Sequence, residues 1–158
     1  NETLSNGILP TDAVVIADAP AWRAAGPQDM EGAGVEMLRT NGIPASGRIP
    51  GDFSGTATGS DVAYLLINGE GKKRVVIIGG HQKRYDVRYN NIAVIARVPK
   101  DVIGSIRWRN DKAPTGVAGD GLLIVRQPEV AESGVVVFLT ADGITSFTPT
   151  SWHDVQLK

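Results

Sequence analysis

The chain contains no cysteine. That removes disulfides, thiolate nucleophiles and Cys-ligated metal sites, while leaving the compartment open. Histidine is scarce, with only His81 and His153. No apolar run is long enough to cross a bilayer as a helix. No G-x-S-x-G elbow or H-E-x-x-H pair occurs. The Gly-rich run 116–121 (GVAGDG) lacks the Lys-Ser/Thr of a phosphate loop and reads as a flexible turn, with no role for Asp120. A pI near 6.1 and the lack of a recognisable module argue against a nucleic-acid partner.

What is present suits one β-rich domain. A length of 158 residues is enough for one sizeable core. With 19 Gly and 9 Pro, the chain has the punctuation of short strands. The expected fold is mainly β: antiparallel sheets arranged as a sandwich, a barrel or a propeller-like fragment, with at most one or two short helices. Residues 1–158 form one domain, in which 1–10 read as an N-terminal tail. The net charge of −1 hides a basic block. Residues 1–71 sum to −6, residues 72–112 to +8 and residues 113–158 to −3. Such a block either pairs with acidic strands inside the fold or forms a face for an anionic partner; internal pairing is the favoured reading.

Along the chain, residues 13–17 (AVVIA) read as a buried strand. Residues 27–41 are the best helix candidate, with Pro27 at its start, acids in its first turn, Arg39 in its last and Gly42 just beyond. Gly32 and Gly34 weaken that helix by about 1 kcal/mol each, and a strand at 35–38 is the alternative. A loop follows over 43–49. Residues 62–67 and 75–78 form a hairpin about the turn 68–71. Residues 85–89 alternate as a half-exposed strand. Residues 92–98, 122–125, 135–139 and 144–147 read as further strands, and 103–108 as a weaker one.

Residues 51–80 are the most sharply punctuated stretch. Gly51, Asp52, Phe53 and Gly55 precede Asp61, Val62 and Ala63, where an acid opens an apolar strand. Over 49–67 this resembles a single degenerate FG-GAP/VCBS-type repeat, the unit of integrin-like β-propellers. The motif is present once, whereas a propeller needs repeated blades. The resemblance implies a Ca²⁺-binding loop, whose counterparts here are Asp52, Ser54, Thr56 and Asp61. Ser54 and Thr56 replace usual carboxylate or amide ligands, which lowers the expected affinity. It also implies a non-catalytic domain of the kind found in small exported bacterial proteins. With a first residue that is Asn1 rather than Met, it gives the expectation of a periplasmic or secreted protein.

Three functions follow from these readings. The first is a non-enzymatic extracytoplasmic β domain with a structural or binding role. The second is a module for an anionic glycan or envelope component, using His81, Arg84, Arg107, Trp108 and Arg109 as a basic–aromatic face, although a tryptophan flanked by outward arginines is more often a core residue. The third is a small hydrolase using His81 or His153 with an Asp.

Overall fold

A computed structural model of the chain describes residues 7–16, 21–30, 32–56, 61–127, 130, 133–140, 143–155 and 157. Among them, nine strands form two open antiparallel sheets. The first sheet contains β1 (Trp22–Ala24), β2 (Arg48–Gly51), β3 (Asp61–Asn68), β4 (Lys73–Ile78) and β5 (Arg84–Val87). The second is a meander of β6 (Ile92–Val98), β7 (Gly121–Arg126), β8 (Gly134–Thr140) and β9 (Gly143–Phe147). The sheets share one core, with β2 against β6 and β5 against β9. Of the expected architectures this is the sandwich; neither sheet closes into a barrel.

β3 is the central strand, and it is buried from Asp61 to Ile67. Its continuous apolar run follows from having cover on both faces. Ala63, Leu65 and Ile67 join Val75, Ile77 and Val87 in the core between the sheets. Val62, Tyr64 and Leu66 face the other way with Val76 and Ile78, under Ile8 and Ile16. The turn into β4 is built by Asn68, whose Oδ1 accepts from the backbone N–H groups of Glu70 (2.9 Å) and Lys72 (3.0 Å). Gly71 takes a positive φ of 80° there, as the sequence led us to expect.

The opposite edge of β3 is shared by two strands placed end to end. β2 pairs with 61–64 and β1 with 66–68. Between them Ala25 donates to the carbonyl of Leu65, Leu65 to that of Gly47, and Gly47 to that of Ala25, at 2.8, 2.8 and 2.9 Å. A Cβ on Gly47 would stand 2.4 Å from the Ala25 nitrogen, so only glycine fits the junction.

Four sequence expectations change. Residues 13–16 are not a strand. Pro10 opens the short helix α1 (Pro10–Ala13), and the segment lies as a strap over the outer face of β3 and β4. Asp12 is buried in that strap and accepts a hydrogen bond from the Tyr64 hydroxyl, which itself accepts from the Leu9 N–H at 3.3 Å. Residue 17 and residues 1–6 lie outside the described residues; Ile8 is buried. The expected helix over 27–41 splits into a 3-10 turn, Pro27–Asp29, and α2 (Ala33–Thr40), because Gly32 adopts a φ of 103° between them. The alternative strand over 35–38 does not form, and the loop expected over 43–49 gives way to β2 at Arg48. Finally, 103–108 is not a strand: a 3-10 helix spans Lys100–Ser105, with Ser105 Oγ bonded to the Val102 carbonyl at 2.7 Å. Ile103 on that helix, and Ile106 and Trp108 just beyond it, are buried.

Candidate functional site: an anchored loop and a polar groove

The loop that carries the FG-GAP-type resemblance is anchored at both ends. Phe53 is buried and fixes its centre. The Ser54 N–H donates to Asp61 Oδ2 at 2.7 Å, and the Ser54 and Thr56 hydroxyls lie 3.0 Å apart. Asp61 is fully buried where it opens β3. Its Oδ1 has no hydrogen-bond partner among the described residues. Residues 57–60 of the loop lie outside them.

A hard cation requires several oxygen ligands, most of them carboxylates. No group of three Asp, Glu or His side chains among the described residues stands close enough to hold a metal ion. The orphan Oδ1 of Asp61 is nevertheless what a cation would satisfy, since a buried carboxylate oxygen without a donor is costly. Asp61 would hold the ion, with Ser54 and Thr56 as neutral oxygens.

The loop's other anchor is Asp120, to which the sequence reading gave no role. Its side chain is 10% exposed. Oδ2 accepts from the Asp52 N–H at 3.1 Å, and Oδ1 from the Lys100 N–H at 2.9 Å. The Arg97 guanidinium lies 3.4 Å from Oδ2. One carboxylate thus ties the 52–56 loop to the end of β6 and the start of β7. The one local signal was the glycine on either side of Asp120, which lets backbones approach closely.

Part of the basic block is neutralised within the chain. Arg74 and Arg84 both pair with Asp86, at 3.1 and 3.3 Å, and Arg97 pairs with Asp120. Arg84 also donates to the Val15 carbonyl at 2.9 Å, which pins the strap. Lys83 sits over the Tyr85 ring.

The expected basic–aromatic face does not assemble. Trp108 is 6% exposed, and its indole packs against Phe138 and Phe147, with ring centroids at 6.5 and 6.1 Å. It offers no stacking face to a ligand, because alternation along 107–109 turns the tryptophan in and both arginines out. Arg107 and Arg109 are exposed where 107–109 run alongside 148–150, whereas Arg84 belongs to the first sheet. The His81 side chain lies outside the described residues. His153 is exposed, stacked on Trp152, with Nδ1 3.2 Å from Ser151 Oγ. Ser151 also accepts from the His153 N–H, the geometry of a helix cap.

The structure instead forms a groove that no sequence motif marked. It has a volume of about 690 Å³ and is lined by Gly71, Lys72, Lys73, Asn90, Asn91, Ile92 and Gln127. Its walls are the β3–β4 turn, the β5–β6 turn and the residue that follows β7. Asn91 holds a positive φ of 58°, and its carbonyl accepts from the Gln127 N–H at 2.8 Å, which joins two of the walls. A second depression, about 430 Å³, continues along Arg74, Asp86, Arg88 and Tyr89. The Arg126 guanidinium stacks over Tyr89. The groove therefore presents ammonium and carboxamide groups with an aromatic–cationic shoulder. Among the described residues, Lys72 has a loose, exposed pairing with Glu70 at 3.6 Å, so its charge faces solvent. Comparison with known proteins finds no matching family model, no matching curated protein and no matching solved structure.

Proposed function

We propose that this chain is a non-catalytic β-sandwich domain that binds an anionic saccharide of a cell envelope, outside the cytoplasm, in the groove between the β3–β4 and β5–β6 turns. The observation that carries this reading is the groove's lining. Lys72, Lys73, Asn90, Asn91 and Gln127 supply charged and amide donors along a polar channel. A sugar acid presents the complementary set, hydroxyls and carboxylates around a ring. Carboxamides both donate and accept, which suits hydroxyls, while the ammonium groups suit carboxylates.

Titration calorimetry with an oligogalacturonate tests the reading. Binding is expected to weaken with added salt, because the charges in the groove are solvent-exposed. Lys72→Ala and Asn91→Ala are expected to weaken it about tenfold each. Absence of binding at millimolar oligosaccharide, or binding indifferent to both substitutions, overturns it.

A second reading rests on the orphan Oδ1 of Asp61. It gives the FG-GAP-type loop a weakly held Ca²⁺ ion that stiffens the entry to β3 and supports the sandwich without touching the groove ligand.

A further inference from the structure

A smaller chamber adjoins the groove. Its volume is about 170 Å³, and it is lined by Gln28, Asp29, Lys73, Ala93 and Gln127. Lys73 and Gln127 belong to both cavities. The chamber draws its walls from the 3-10 turn Pro27–Asp29, from β4, from β6 and from the end of β7. Ala93 is buried and contributes only a methyl group.

Its polar groups are arranged to receive a ligand. Lys73 Nζ donates to the carbonyls of Asp29 at 3.2 Å and Ile92 at 3.3 Å. An ammonium has three protons, so one remains after these bonds among the described residues. Gln28 and Gln127 add two carboxamides. The Asp29 carboxylate is already engaged: Arg23 grips it with two bonds, at 2.6 and 3.0 Å, and the Gly26 N–H donates to it at 2.8 Å. Its charge is thereby compensated within the wall. A volume near 170 Å³ is that of roughly five or six waters at about 30 Å³ each, the scale of one sugar ring.

Resting on the reading of the groove as a saccharide site, we infer that this chamber seats the terminal residue of the chain, a uronic acid, so that the domain recognises chain ends and not chain interiors. The terminal carboxylate meets the free Lys73 proton, and the ring hydroxyls meet Gln28 and Gln127. The next sugars run out along Lys72, Asn90 and Asn91.

The test is calorimetry of the whole chain with galacturonate oligomers of two, four and eight residues, and with a four-residue oligomer whose non-reducing terminal carboxylate is methyl-esterified. A second four-residue oligomer carries a reducing end reduced to the alditol, so that each end is examined. Affinities per molecule are expected to agree within about threefold from four to eight residues, and modification of one end to weaken binding about tenfold. Gln28→Ala, an exposed substitution in the chamber and outside the groove lining, is expected to weaken the unmodified four-residue oligomer by about fivefold through loss of a hydroxyl contact, while the preference for the free terminal carboxylate, which Lys73 carries, persists. Affinity that climbs with length and ignores both modifications overturns end recognition while leaving the groove reading intact. Failure of every oligomer to bind overturns both.

Discussion

Asp52 and Asp120 hold each other across 68 residues of sequence by a reciprocal pair of hydrogen bonds. The Asp52 N–H donates to the Asp120 carboxylate at 3.1 Å, and the Asp120 N–H donates to the Asp52 carbonyl at 2.9 Å. The second Asp120 oxygen fixes Lys100, whose ammonium returns to the Ala118 carbonyl at 3.1 Å. Two connections, β2–β3 of the first sheet and the long β6–β7 of the second, therefore meet on one carboxylate, which ties the two sheets together at this end. The end of the sandwich that carries the 52–56 loop is a braced corner.

Removing that carboxylate is expected to loosen the corner as a unit. Asp120→Ala leaves the Asp52 and Lys100 N–H groups without their acceptor, and each partly buried donor so stranded is destabilising. The expected loss is about 2–3 kcal/mol, read as a lower urea midpoint with an unchanged slope. Asp101 is exposed on the neighbouring 3-10 helix, and Asp101→Ala is expected to change stability by less than about 0.5 kcal/mol. Equal effects of the two substitutions would remove Asp120 from its bracing role.

Backbone contact at the same corner gives a steric prediction. A Cβ on Gly119 would stand 2.1 Å from the Asp52 carbonyl oxygen, and one on Gly55 would stand 2.3 Å from that of Ala118. Neither obstacle is a side-chain tip that could swing away. Gly119→Ala is expected to destabilise by about 2–3 kcal/mol, the range of overpacked sites. Gly69 has open space around it and no positive φ, so Gly69→Ala is expected to be neutral or slightly stabilising. Thermal unfolding of the two variants side by side decides the matter.

The contrast between these residues explains what the sequence could and could not disclose. The strands over 62–67, 75–78, 92–98 and 122–125 were legible because burial on both faces writes itself as a continuous apolar run. The hairpin was legible because Asn68 and Gly71 carry local turn chemistry. Residues 13–16 misled because a short apolar run does not fix backbone pairing: Ile16 is buried against β3 and β4 and Ala13 and Val15 are half-buried, but Val14 is exposed, and Pro10 opens a short helix here instead of a strand. At Trp108 the flanking arginines mark the exposed side, and the tryptophan between them takes the core position that such a pattern more often gives. Asp120 was illegible because its partners at 52, 97 and 100 are remote in sequence, and the groove because its walls come from three separate turns.

Two groups contribute to the pH dependence of stability. The Arg23 side chain, then the Gly26 N–H, hold the Asp29 carboxyl down to about 2 from an ordinary 3.8. The unfolded chain therefore takes up that proton first, so the stabilisation is present above about pH 4 and is lost as pH falls toward 2. Burial, then the hydrogen bond to Asp12, push the Tyr64 hydroxyl above its ordinary value of 10.0. Its contribution is full below that pH and is lost as pH rises further, since only the unfolded tyrosine ionises readily. Asp29→Asn is expected to flatten the acid limb of a stability–pH curve and Tyr64→Phe the alkaline limb. An acid limb unchanged in Asp29→Asn would assign acid unfolding to other carboxylates.

The Asp61 loop distinguishes an ion from a peg. The buried carboxylate has one oxygen bonded to the Ser54 N–H and one without a donor. If a cation completes it, the folded state alone binds the ion, and the unfolding midpoint rises with the logarithm of its concentration. The expected outcome is a higher midpoint in millimolar Ca²⁺ than in EDTA, abolished by Asp61→Asn. That substitution keeps the side chain's size and an oxygen able to accept from Ser54, so it removes the charge while sparing the peg. A midpoint indifferent to Ca²⁺ in the unsubstituted chain, with Asp61→Asn lowering it equally in both solutions, would mean that Asp61 serves the fold through Ser54 alone. The brace at Asp120 would then do without an ion what the resemblance assigns to one.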